Sequence, residues 1–124
     1  MKITKKITGA TYVIEIEGVI VGTHALDLDE LILSTNFVHL GINNLVFDLT
    51  QVGMIDSIGL EAINHAQEQG LKVSILNPQG LVKDILERAM INGRLSPFLQ
   101  IVEKERRVSA RKEITIPRGL PVSC

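Results

Sequence analysis

The sequence has 124 residues, 45% of them hydrophobic and 22% charged, which suits one globular domain with a buried core and excludes a disordered chain. Thirteen basic against fourteen acidic side chains leave a net charge of −1, which excludes a nucleic-acid binder that works by neutralising phosphates. The one cysteine, Cys124, can form neither an internal disulfide nor a paired-cysteine metal site.

Lys2, Lys5 and Lys6 stand near the start, but no apolar signal segment follows them. No run of about 18 apolar residues occurs, so no membrane span is expected. Together with the lack of a disulfide framework this suits a cytoplasmic protein. Tyr12, Phe37, Phe47 and Phe98 are the only aromatic residues, too few for a base-stacking platform.

Residues Thr11 to Glu17 alternate, with Tyr12, Ile14 and Ile16 on one face, and are predicted to form a strand. Met1 to Thr8 offers a neighbouring antiparallel edge, and Val19 to Val21 can continue the extended chain past Gly18. A helix is expected from Thr23 or Asp27, either of which can cap it, with Leu28, Leu31, Ile32 and Thr35 at helical spacing. Gly41 and the pair Asn43-Asn44 break the chain before the short apolar strand Leu45 to Leu49.

A turn over Gln51 to Ser57 is predicted to lead into a helix from Ile58 to Gln69, stopped by Gly70. Lys72 to Leu76 reads as a strand. Asn77 as cap and Pro78 at the first helical position are expected to open a helix carrying Leu81, Val82, Ile85, Leu86 and Ala89. Asn92-Gly93 ends it, and Phe98 to Val102 reads as a last strand.

Strands alternating with helices imply an α/β fold: one domain with a mostly parallel, mixed sheet of four or five strands covered by helices. The domain is placed at residues 1–102. Residues 103–124 form a basic C-terminal extension with six basic and three acidic side chains, against seven and eleven in the first 102. Pro117, Gly119 and Pro121 make the end of that extension a poor helix or central strand.

The chemically informative stretch is Phe47-Asp48-Leu49-Thr50 followed by Ile55-Asp56-Ser57-Ile58-Gly59-Leu60. Ligands of open α/β sheets gather at the carboxyl ends of strands, which is where Asp56 and Ser57 are delivered. Ser57 has two readings. It can cap free N–H groups at the helix start, with Asp56 as a second capping candidate, the commonest role of these residue types. It can also carry a phosphate, whose nearly two negative charges suit a helix start. Glu61 reads as a first-turn complement to the helix dipole, and Asp48 as a polar strand-end residue.

This stretch resembles the signature of STAS domains of the anti-sigma factor antagonist type. The resemblance runs on through Val73-Ser74-Ile75-Leu76-Asn77-Pro78, the helix Leu81 to Met90 and Phe98 to Val102, covering residues 10–102. It implies a STAS-like fold and a non-enzymatic protein-binding switch. In that family the serine after the aspartate is phosphorylated by a kinase-type anti-sigma factor. The bare antagonist binds that kinase, and a phosphatase resets the serine.

Carried over, Ser57 is the phosphoacceptor, Asp56 orients its hydroxyl or aids recognition, and Gly59 lets the partner approach closely. Ile58, Asp48 and Glu61 belong to the same environment. No cofactor is implied, because nucleotide and Mg²⁺ come with the kinase. Two features depart from the pattern: Ile58 is bulky, and Gly18-Val19-Ile20-Val21-Gly22-Thr23-His24 lacks the usual Leu-Asp. A scaffold or transporter-associated STAS role without a phosphoserine is the alternative.

A serine hydrolase fits poorly. The nucleophile elbow is G-x-S-x-G, and Ile55 stands where its first glycine belongs. His65 follows Ser57 by eight residues, about 12 Å along a helix axis, and His24 is the better-placed base. Metal binding fits no better, since Asp27, Asp29 and Glu30 with His24 read as an acidic first helical turn. Met54 and Met90 read as core. Arg106-Arg107-Val108-Ser109 has the pattern of a basophilic kinase site but reads more simply as a solvated extension.

Overall fold

The computed structural model describes residues 1–104. The basic extension, with Arg106, Arg107, Ser109 and Cys124, lies outside the described residues, apart from Glu103 and Lys104.

The chain runs β1 (Lys2–Thr8), β2 (Thr11–Ile20), α1 (Gly22–Ser34), β3 (Asn44–Ile55), α2 (Ser57–Glu68), β4 (Lys72–Leu76), α3 (Gly80–Ile91) and β5 (Gln100–Val102). The five strands lie in the order β1-β2-β3-β4-β5. β1 and β2 form an antiparallel hairpin in register from Lys2–Glu17 to Thr8–Thr11. Every later pairing is parallel, each through one helix. The expected mixed, mostly parallel α/β sheet is therefore the fold, with the N-terminal segment as its antiparallel edge.

Alternation along the strands builds the core. Tyr12, Ile14 and Ile16 of β2, Leu45, Phe47 and Leu49 of β3, and Val73 and Ile75 of β4 are buried. Their alternates Val13, Glu15, Val46 and Ser74 are only half-buried. Ala25, Leu28 and Ile32 of α1, Leu60, Ala62, Ile63 and Ala66 of α2, and Val82, Leu86 and Ala89 of α3 complete the core. Each large aliphatic side chain so buried contributes about 1.5–3 kcal/mol. Tyr12 meets Phe37 edge-on with ring centroids 5.4 Å apart.

β5 begins at Gln100 rather than Phe98, and three larger differences from expectation stand out. Gln51 to Ile55 is strand rather than turn, because Glu17–Ile20 of β2 pair with it and satisfy its backbone groups. At two register shifts, opposite Glu15–Glu17 and Gly18–Val19, β3 carries one more residue than β2, and these extra residues break the simple alternation of β3 that would have revealed this. The first helix begins at Gly22, so Thr23 and Asp27 lie inside it rather than capping it.

The third difference is at α3, which starts at Gly80 with Gln79 at the cap position. Asn77 instead takes a left-handed φ of 51°. Its backbone N–H donates to Val102 O at 2.8 Å, and its side-chain oxygen accepts from Lys104 N at 2.6 Å. Asn77 thus ties the end of β4 to the end of β5. Leu81, placed on the apolar stripe by spacing, is exposed, as is Phe98, which precedes β5.

Candidate functional site

The long strand β3 ends at Ile55, and the ladder is prolonged one step by Asp56 N–H donating to Ile20 O at 3.1 Å. Asp56 then leaves the sheet in extended conformation as the N-cap of α2. Its Oδ1 accepts from Gly59 N at 3.0 Å. Its Oδ2 accepts from Gly22 N, the first residue of α1, at 2.8 Å. One carboxylate therefore serves the starts of both helices. α1 has no cap of its own, since the residue at its cap position is Val21.

Ser57 is the first residue of α2 and is exposed. Its hydroxyl makes no hydrogen bond with any described residue. The capping role therefore falls to Asp56 and not to Ser57. Asp56 does not orient the Ser57 hydroxyl: its carboxylate is spent on backbone N–H groups. Burial raises the Asp56 carboxyl pKa, but the backbone donors Gly22, Gly59 and Ile58 outweigh that and hold it below its ordinary value.

The remaining predicted site residues divide. Glu61 is exposed four residues after Ser57, so the two share a face of α2. It lies beyond the first turn, which contains no acidic residue, so it is not the expected dipole complement. Ile58 is half-buried and packs against the core. Gly59 is buried, and its missing side chain faces inward: a Cβ there would sit 2.6 Å from Ile55 Cγ1 and 2.9 Å from Ile20 Cγ2. Glycine is needed there for the fit of α2 on the ends of β2 and β3, not for the approach of a partner.

Asp48 is not brought to Ser57. It sits mid-strand, about 23 Å from the end of β3 by strand rise. Its Oδ1 accepts from Thr50 N at 3.0 Å and Thr50 Oγ1 at 2.5 Å. It lines a polar cleft of about 160 Å³ with Glu15, Glu17, Thr50 and Gln51.

Neither His65 nor His24 forms a pair with Ser57. His65 Nδ1 lies 2.6 Å from Asp29 Oδ1 across the α1–α2 contact. His24 Nδ1 is buried without a partner among the described residues. Among the described residues no group of three or more His, Cys, Asp or Glu side chains is arranged to hold a metal. No helix among them is long and apolar enough to cross a membrane.

Two components of this site escaped the sequence. Gly22 and the Asp29–His65 pair are joined to α2 by contacts 34 and 36 residues apart, which no local spacing encodes.

Known structures share this architecture. The anti-sigma factor antagonist SpoIIAA in its unphosphorylated form superposes with a TM-score of 0.61 at 13% identity, over 84% of this chain and 90% of that one. The phosphorylated form of the Bacillus cell fate determinant SpoIIAA gives 0.58 at 14% identity, over 84% and 92%. Moorella thermoacetica RsbS carrying a serine-to-glutamate substitution gives 0.63 at 15% identity, over 85% and 89%. At these identities the likeness is one of fold. Curated proteins give no match by sequence. The family model of the STAS domain matches residues 2–104, all but one of the described residues and most of the chain, and the chain belongs to the STAS domain family.

Proposed function

We propose that this STAS domain is a phosphorylation-controlled protein-binding switch of the anti-sigma factor antagonist type, with Ser57 as phosphoacceptor. The observation that carries the reading is the division of labour at the start of α2: Asp56 caps, while the adjacent Ser57 hydroxyl stays exposed and unbonded. A kinase can reach that hydroxyl without dismantling the helix.

The same geometry refines what a phosphate would do. A bare helix start attracts an anion. Here the Ile58 and Gly59 donors already serve Asp56. A phosphate on Ser57 would meet the Asp56 carboxylate beside it and Glu61 one turn on, and carry nearly two negative charges of its own. It would project outward and present concentrated negative charge. A partner shaped for a bare hydroxyl would be repelled, without any need to unfold the domain.

The partner on this reading is a kinase-type anti-sigma factor, bound when Ser57 is bare, and a phosphatase restores the bare state. The domain contributes an acceptor and a surface; the kinase supplies nucleotide and Mg²⁺. Such a switch works in the cytoplasm. Incubation with the kinase and ATP followed by peptide mass spectrometry tests the acceptor. A phosphate on Ser57, absent in Ser57→Ala, is expected. A phosphate elsewhere, or none, defeats the acceptor reading and favours a scaffold role.

A further inference from the structure

A carboxylate has two acceptor oxygens, and at Asp56 they face in different directions. Oδ1 takes Gly59 N–H at 3.0 Å, within its own helix. Oδ2 takes Gly22 N–H at 2.8 Å, from a segment 34 residues earlier. Val21, at the cap position of α1, offers no side-chain acceptor, and Gly22 takes a left-handed φ of 56°. Gly22, Thr23 and Ser57 are all exposed. The turn between β2 and α1 thus lies beside the turn between β3 and α2, and Asp56 is the side chain bonded to both.

We propose that Asp56 is a positioning residue that locks the first turn of α1 onto the Ser57 turn and so fixes where Gly22 and Thr23 stand relative to the Ser57 hydroxyl. The coupling stands on geometry alone; its link to a partner rests on the Ser57 reading. The chemistry demands a carboxylate. Asparagine caps a helix as well as aspartate does. Its single carbonyl oxygen accepts on one side only, and its amide nitrogen, itself a donor, cannot take the Gly22 N–H.

Amide hydrogen exchange of the full chain, with Asp56→Asn against wild type, tests this directly. In the variant, Gly22 exchange is expected to rise at least about tenfold, the scale of a lost hydrogen bond to a charged group. Gly59 and Leu60 should stay within about twofold. Unchanged Gly22 exchange overturns the proposal. So does an equal rise at Gly22 and Gly59, which would mean general loosening rather than loss of one arm.

A second measurement needs only a folded parent. In wild type the Gly22 and Gly59 amide shifts should titrate together, with one midpoint below the usual carboxylate range. Ser57→Asp should move both midpoints upward together, because an added negative charge disfavours ionisation of Asp56. A Gly22 shift that does not titrate, or a Ser57→Asp effect confined to Gly59, overturns the coupling. These readouts need no kinase. Failure of Ser57 phosphorylation would remove the acceptor reading, while the exchange data still decide the role of Asp56.

Discussion

His65 of α2 and Asp29 of α1 approach to 2.6 Å and tie the helix that begins at Ser57 to its neighbour. The hydrogen bond to Asp29 raises the His65 pKa; burial opposes it, and the charges of Asp29, Glu68 and Glu61 add to the rise. A raised folded-state pKa means stability that is complete below the ordinary histidine value of about 6.5 and lost as pH climbs through the folded value. Urea unfolding of wild type and His65→Gln should differ by roughly 1 kcal/mol near pH 5.5, with the gap closing toward pH 9. A gap that widens with pH contradicts this assignment.

Asp56 acts in the opposite window. Its lowered pKa gives stability that is present above the unfolded aspartate value and lost as pH falls through the folded one. Asp56→Ala should cost about 1 kcal/mol or somewhat more at pH 7, the usual worth of an N-cap. The difference should shrink in acid, as read by unfolding free energies between pH 7 and pH 2.

Two glycines next to this carboxylate should fail for different reasons. At Gly59 an added Cβ would meet Ile55 Cγ1 at 2.6 Å, Ile20 Cγ2 at 2.9 Å and Ile20 O at 3.1 Å, inside a closed core. Gly59→Ala should cost about 1–3 kcal/mol through overpacking. At Gly22 nothing lies within 4 Å of a Cβ, but φ is +56°. Gly22→Ala should cost about 1 kcal/mol of backbone strain, and Gly22→Asn less, because asparagine tolerates the left-handed region. Equal penalties for Ala and Asn at Gly22 would count against a backbone cause.

Asn77 combines both kinds of constraint. It adopts φ 51° and accepts from Lys104 N at 2.6 Å. Asn77→Gly keeps the conformation and loses the bond; Asn77→Ala loses both. Denaturant midpoints should therefore fall in the order wild type, Gly variant, Ala variant, with the full loss near about 1–3 kcal/mol.

The architecture was legible because period-two alternation in Thr11–Glu17 and the short apolar runs Leu45–Leu49 and Lys72–Leu76 correspond to real strands. The second half of β3 is hidden, since the extra residues that β3 carries at its two register shifts, the exposed Gly53 among them, make Gln51–Ile55 look like a turn. The helix starts were misplaced for a related reason. Thr23, Asp27 and Asn77 have good capping chemistry locally, but α1 takes its cap from Asp56 and Asn77 spends its side chain on Lys104. Of the site, Asp56, Ser57 and Glu61 fall together around the start of α2. Asp48 does not, because the strand that follows it is longer than the motif suggests.

If charge on Ser57 controls partner binding, titration of the kinase-type anti-sigma factor with wild type, Ser57→Ala and Ser57→Asp will separate the three. Ser57→Ala should bind within a fewfold of unphosphorylated wild type. Ser57→Asp should bind at least about tenfold more weakly, a loss of about 1.4 kcal/mol. Binding of Ser57→Asp as tight as that of Ser57→Ala would contradict the switch.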